Sequence, residues 1–101
     1  MTQTLPRIDA LRAEYSALIA EAEAVLTRSR SRQAIEQAIA LYGRADELAR
    51  EQQLRLLATL KSSTTPHALG AESWVQFVST QLNVSRDDAQ LVLRDVDALG
   101  P

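Results

Sequence analysis

The densest basic run in the sequence is "LTRSRSRQ", in which Arg28, Arg30 and Arg32 alternate with serines. Guanidinium groups bind phosphate oxygens through paired hydrogen bonds, so these three arginines are a candidate contact for nucleic acid or for a small phosphate ligand. Three arginines at one point supply few phosphate contacts at physiological salt, and no aromatic residue lies nearby to stack on bases. The phosphate interpretation is therefore the weaker of the two that the run allows.

The preferred interpretation of the same run is a joint between two antiparallel helices. Arg28 and Arg30 lie near the C-terminal end of the first predicted helix, where positive charge is favourable. Ser29 or Ser31 caps the second helix with its hydroxyl group. A connection this short is typical of two helices that pack side by side.

The residues available for catalysis are few. The sequence contains no cysteine, which excludes disulfides and thiol chemistry, and its single histidine, His67, follows Pro66 in a predicted loop without an identifiable acid or base partner. No glycine-rich phosphate loop, nucleophile elbow or zinc-protease motif is present. Four aspartates near the end of the chain lack calcium-loop spacing and are interpreted as a solvated helix face: Asp87, Asp88, Asp95 and Asp97. We expect no enzyme, no cofactor and no metal site.

The bulk composition predicts one folded domain, residues 1–101. The sequence is 46% hydrophobic with a formal net charge of −2, so it lacks both the composition of a disordered chain and the cationic excess typical of duplex binding. No apolar run approaches the roughly 20 residues of a membrane span, and the N-terminus lacks the pattern of a signal peptide. We expect a soluble, cytoplasmic protein.

The first predicted helix covers residues 5–27, with Thr4 as its N-cap and Pro6 in its first turn. Its apolar residues follow a heptad spacing of 3, 4, 3, 4 and 3, which is typical of a helix packed along one seam. The seam residues are Ile8, Leu11, Tyr15, Leu18, Ala22 and Val25.

The second predicted helix covers residues 32–61. Its predicted inward stripe consists of Ile35, Ala38, Ile39, Tyr42, Ala45, Leu48 and Ala49. Gly43, inside this stripe, is predicted either to allow a close approach of the first helix or to mark a kink. From Leu54 to Leu60 the helix is apolar on more than one face, which predicts contact with the C-terminal part or with a second copy of the chain. Because this leucine cluster and the seam exceed what one chain easily covers, we predict a homodimer.

Residues 62–71 are rich in Ser, Thr, Pro and Gly and are predicted to be a loop. A short helical hairpin follows over residues 72–101. Ser73 or Glu72 opens its first helix, Asn83 ends that helix, and Ser85 caps the next one. Gly100 and Pro101 are predicted to stop the last helix. The fold class is therefore all-α, a long antiparallel hairpin followed by a short C-terminal one.

Four side chains are candidate contacts for a protein partner. Trp74 and Phe77 stand one turn apart on the first C-terminal helix, and a partly exposed tryptophan is a frequent hot spot in interfaces. Leu54 and Leu57 belong to the leucine cluster. A tryptophan at such a position is more often a core residue, so both roles stay open for Trp74.

The segment "AIALYGRADELAREQ" has the apolar spacing of a known helical repeat, with Ala38, Ile39, Tyr42, Ala45 and Leu48 at the matching positions. It resembles the second helix of a tetratricopeptide repeat. With the preceding stretch "EAEAVLTRSRSRQ", the resemblance covers about residues 20–50, and it is similar to that of microtubule-interacting-and-transport domains. Tetratricopeptide repeats are helix-pair adaptors that bind peptides or proteins, so the resemblance implies an interaction role. Only one unit is present, although such folds need about three, and an ordinary helix pair gives similar spacing.

The last segment, "LNVSRDDAQLVLRDVDALG", resembles a helix-turn-helix and the opening helical hairpin of the HU family of DNA-bending proteins. The sequence lacks the β-ribbon with which the HU family binds DNA. A DNA-reading helix places its first turns in the major groove, and here those turns carry Asp87 and Asp88 beside Arg86. We therefore predict a non-catalytic, self-associating module for protein interaction or regulation. The alternatives are a small DNA-binding regulator and a phosphate sensor at the arginine run.

Overall fold

The computed structural model describes residues 4–99, with side chains from Pro6 onwards. Over this range the chain forms four α-helices and no strand. The helices are α1 (Thr4–Arg28), α2 (Arg32–Ser63), α3 (Trp74–Leu82) and α4 (Arg86–Ala98). The predicted fold class is confirmed, because α1 and α2 form a long antiparallel pair and α3 and α4 form a shorter one.

The described chain divides into two compact units at the boundary between Gln53 and Leu54. We call residues 4–53 the hairpin unit and residues 54–99 the C-terminal unit. This boundary falls inside α2. The last turns of α2 contribute Leu54 and Leu57 to the core that they form with α3 and α4.

In the hairpin unit, the predicted seam of α1 is confirmed. Ile8, Leu11, Leu18, Ala22 and Val25 are buried, and Tyr15 is half-buried. The heptad spacing works because it keeps one stripe of the helix facing α2 along its whole length. The predicted N-cap, Thr4, lies outside the residues whose side chains the structure describes.

The face that α2 turns toward α1 differs from the prediction. Its buried residues are Ala34, Ala38, Leu41 and Ala45. Ala38 and Ala45 were in the predicted stripe, but Ile35, Ile39 and Tyr42 are 44%, 66% and 39% exposed. The alanine-rich face lies against α1 because small side chains let two helix axes approach closely. The larger apolar residues are therefore left beside the contact.

Gly43 does not mediate a close approach of the two helices. It is exposed, and a Cβ atom placed on it would meet nothing within 4 Å. α2 continues through this position to Ser63. The close-approach prediction is therefore wrong.

The C-terminal unit has its own core. Its buried residues are Leu54, Leu57, Val78, Ala89, Val92 and Val96. The prediction left open whether the leucines of α2 contact the C-terminal part or a second copy of the chain. For Leu54 and Leu57 the contact is with α3 and α4 of the same chain.

Both ends of α3 and the start of α4 lie where the sequence predicts them. The Ser73 hydroxyl accepts a hydrogen bond from the Gln76 N–H at 3.0 Å, and the Ser85 hydroxyl accepts one from the Asp88 N–H at 3.1 Å. Asn83 ends α3 in the left-handed conformation, with φ of 54°. The predicted stop at Gly100 and Pro101 lies outside the described residues.

The predicted loop is shorter than expected, because α2 extends to Ser63, and it contains a single 3-10 turn, His67–Leu69. Gly70 closes this turn with φ of 78°, a conformation that L side chains rarely adopt. Across residues 4–99, none of the helices combines the length and the apolarity needed to cross a bilayer.

Candidate interaction surface

The arginine run forms the joint between α1 and α2, as the preferred interpretation predicts. Arg28 is the last residue of α1, Arg30 lies in the turn and Arg32 opens α2. All three are exposed. The Arg32 Nε atom lies 3.3 Å from Oε1 of Glu36, but these side chains are 93% and 65% exposed, so the pair contributes little to stability. Phosphate binding by these arginines stays a prediction.

The serines of the same run organise the turn. The Ser31 hydroxyl accepts a hydrogen bond from the Ala34 N–H at 3.1 Å, and the Ser31 carbonyl accepts one from the Ile35 N–H at 3.0 Å. Ser31 is thus the N-cap of α2. The Ser29 hydroxyl accepts a hydrogen bond from the Ser31 N–H at 3.1 Å, which holds the turn itself.

Trp74 and Phe77 form an edge-to-face pair in the first turns of α3. Their ring centroids are 5.6 Å apart and their planes meet at 88°. Both are half-buried, and Phe77 packs against the core of the C-terminal unit. A depression of about 250 Å³ beside Phe77 is lined also by Gln76, Thr80 and Gln81. The pair is therefore partly a core feature and partly accessible.

Leu54 and Leu57, the other two predicted partner contacts, are only 9% and 8% exposed. They pack against Val78, Val92 and their neighbours in the core of the C-terminal unit. A side chain in this position is not accessible to a partner while the unit is folded. Their apolar character is explained by the core.

The α3–α4 hairpin presents acidic side chains where a DNA-reading helix needs neutral or basic ones. Asp87 and Asp88 lie in the first turn of α4 and both are exposed. DNA phosphates would meet these carboxylates at close range. In the part of the chain that the structure describes, acidic and histidine side chains do not gather in any group of three that could hold a metal ion.

The two flanks of the hairpin unit differ sharply in polarity. On one flank, Arg7 of α1 and Glu51 of α2 form an ion pair, with Nε of the arginine 3.1 Å from Oε2 of the glutamate. Arg7 stands just before the seam residue Ile8, and Glu51 stands one heptad after Arg44, which precedes the buried Ala45. The equivalent positions along the two helices carry Glu14, Glu21, Arg28, Gln37 and Arg44. We call these seven residues the charged flank.

The opposite flank is mostly apolar. Ile19 and Leu26 come directly after the buried Leu18 and Val25, and Arg12 holds the same heptad position after Leu11. Ile19 and Leu26 are half-buried against the hairpin core. On α2, the corresponding residues are Ile35 and Tyr42, with Ile39 beside them. We call Ile19, Leu26, Ile35, Ile39 and Tyr42 the apolar flank.

Counting outward from the turn places the residues of the apolar flank at matching levels on the two helices. Leu26 and Ile35 are nearly equidistant from the turn around Arg30, and so are Ile19 and Tyr42, two helical turns further away. Ile39 lies between these two levels on α2 and is 66% exposed, the largest exposure among them. Large aliphatic side chains clustered on a helix pair in this way are typical of a binding surface.

The sequence analysis missed this surface because it assigned Ile35, Ile39 and Tyr42 to the buried stripe. A signal for the correct assignment exists in Ala34 and Leu41, which complete a heptad spacing with Ala38, Ala45 and the half-buried Leu48. Apolar residues on α2 therefore cover a wider arc than one helix contact requires.

No protein-family model matches the chain, and neither a curated protein nor a solved structure is significantly similar to it. The tetratricopeptide-like and microtubule-interacting-and-transport-like patterns, and the HU-like hairpin, accordingly stay predictions.

Proposed function

We propose that this protein is a non-catalytic helical interaction module that binds a protein partner through the apolar flank, and that it acts in the cytoplasm. The observation that carries the proposal is the exposure of Ile35, Ile39 and Tyr42 on one side of α2. Covering these side chains would remove apolar surface from water, at roughly 25 cal/mol per Å². Single exposed leucines elsewhere need no such explanation, but a cluster does.

The charged flank supports the same proposal by contrast. Both flanks belong to the same two helices, yet the charged flank lacks any large apolar side chain, whereas the apolar flank carries five residues that are aliphatic or aromatic. Ile39 is a poorer helix former than glutamate or lysine and makes little contact within its own chain. Its presence is best explained by a partner. The interaction role implied by the tetratricopeptide resemblance agrees with this proposal.

The experiment that tests the proposal places a photo-crosslinking amino acid at position 39 of the full chain, in the cells that produce it. We expect one discrete covalent adduct, with a protein partner or with a second copy of the chain. The matched control carries the same probe at position 37, on the charged flank of the same helix, and should give no such adduct. A probe at 39 that yields no discrete product would overturn the proposal.

A further inference from the structure

We infer that the occupant of the apolar flank is a second copy of this chain, so that two hairpin units pack flank on flank as a four-helix bundle. The inference rests on the proposed function and names its partner. Three features of the hairpin unit carry it: the width of the apolar stripes, the composition of the hairpin core and the arrangement of charges around the flank.

The stripes are wider than a two-helix hairpin needs. A helix that contacts one partner helix uses two positions of each heptad, whereas a helix inside a four-helix bundle uses a third one beside them. In α1 the third position holds Ile19 and Leu26, with Arg12 one heptad earlier, and in α2 it holds Ile35, Tyr42 and Ala49. Because these residues lie on the same flank of the pair, one additional two-helix layer covers all of them. A second hairpin of the same kind is such a layer.

The core between α1 and α2 is poor in large side chains. Four of its buried residues are alanines: Ala22, Ala34, Ala38 and Ala45. A buried alanine contributes only a methyl group, far less apolar surface than a buried leucine. The larger side chains next to this core, above all Ile39, remain exposed when the hairpin stands alone. Pairing two hairpins would bury them and give each copy the core that its own seam lacks.

The charges around the apolar flank are self-complementary. Near the turn, α1 carries Glu23 and α2 carries Arg32, and toward the other end α1 carries Arg12 and α2 carries Asp46. All four are exposed. Unlike charges thus alternate around the four corners of the flank. When two such faces meet around a two-fold axis lying between them, either along or across the helices, the corner nearest to each charge carries the opposite charge.

The size of the flank indicates a modest affinity. From Arg12 to Leu26 the helix covers roughly 20 Å, and two packed helices are together roughly 20 Å wide. The area given by these two lengths is smaller than the roughly 800 Å² per partner of a standard interface, so we expect the dimer to dissociate on dilution. The measurement must therefore span a wide range of concentration.

The test is analytical ultracentrifugation of the full chain from about 1 μM to about 1 mM, a range that brackets the affinity expected for a small interface. We expect a mass of 11.1 kDa at the low end and twice that mass at the high end. Ile39→Glu should weaken the dimer at least about tenfold, because it places a charge among the apolar side chains that the dimer would bury. Gln37→Glu makes the same change of charge on the charged flank and should leave the affinity as it is.

Each outcome has a distinct meaning. A chain that stays monomeric throughout the range overturns the inference, as does a dimer that Ile39→Glu leaves intact. Circular dichroism of both variants establishes that α1 and α2 still form. The inference and the proposed function can fail separately. If the chain is a monomer and its photo-probe at position 39 captures another protein, only the inference of a second copy is refuted. If the probe captures nothing, the proposed function is refuted as well.

Discussion

Ser31 determines where α2 begins, because its hydroxyl and its carbonyl both accept hydrogen bonds from the first turn of that helix. The alternating serines and arginines of "LTRSRSRQ" are explained at this scale. One serine caps a helix, another holds the turn, and the arginines stand exposed at a helix end where positive charge is tolerated.

Ser31→Ala should lower the free energy of unfolding of the hairpin unit by about 1 kcal/mol, the usual cost of losing a serine N-cap. Chemical denaturation followed by circular dichroism measures the change. Ser16→Ala is the matched control, since Ser16 is exposed in the middle of α1, where alanine is the better helix former. Equal destabilisation by both changes would contradict the capping role.

Gly43→Ala should stabilise the chain by about 1 kcal/mol, because alanine restricts the unfolded chain and favours the helix. The added methyl group has open space around it. Gly70→Ala is the opposite case, since Gly70 has φ of 78°, and it should destabilise by about 1 kcal/mol. Thermal melting of the two variants and the parent chain measures both effects. A lower melting temperature for Gly43→Ala than for the parent chain would refute the predicted stabilisation.

At the scale of the elements, α2 serves two cores with different chemistry. Its first part presents alanines to α1, and its last turns present leucines to α3 and α4. The apolar pattern of the sequence changes after residue 53 because α2 packs against different helices from there on. The sequence shows that this part of α2 is apolar on several faces, but the pattern alone leaves open which element covers those faces.

Leu57→Ala should cost about 2–5 kcal/mol of the stability of the C-terminal unit, because it leaves a cavity in a buried core. Leu56→Ala, one residue away, removes a side chain that is 52% exposed and should cost less than about 0.5 kcal/mol. Urea denaturation monitored by the fluorescence of Trp74, which lies in the same unit, compares the two. Similar costs at both positions would show that Leu57 is not a core residue.

At the scale of the whole molecule, charge weighs against nucleic acid as the partner. The formal net charge is −2, and the first turn of α4 is acidic. Nonspecific DNA affinity depends on the number of phosphates neutralised by basic side chains, and three arginines at one turn neutralise few.

We therefore expect no gel shift of random duplex DNA at about 150 mM salt with protein up to about 10 μM, within the range where cationic proteins bind nonspecifically. The control replaces Arg28, Arg30 and Arg32 with serine and should behave like the parent chain. A shift by the parent chain that weakens with salt and disappears in this variant would establish the arginine turn as a phosphate-binding site.

The features that local interactions control could be predicted from the sequence. Heptad spacing determined the seam of α1, serine and asparagine determined both ends of α3 and the start of α4, and the arginine–serine run determined the turn. Each depends on residues within a few positions of one another, so a single chain segment carries the whole signal.

Only the tertiary structure decided which face of α2 is covered and which is left for a partner. Apolar residues extend around enough of α2 that two stripes, one centred on alanines and one on Ile39, have nearly the same periodicity. The choice between them depends on how closely α1 can approach, a property of two helices together. The buried leucines at 54 and 57 and the exposed apolar flank follow from the same cause, because burial is determined by what packs against a side chain and not by its type alone.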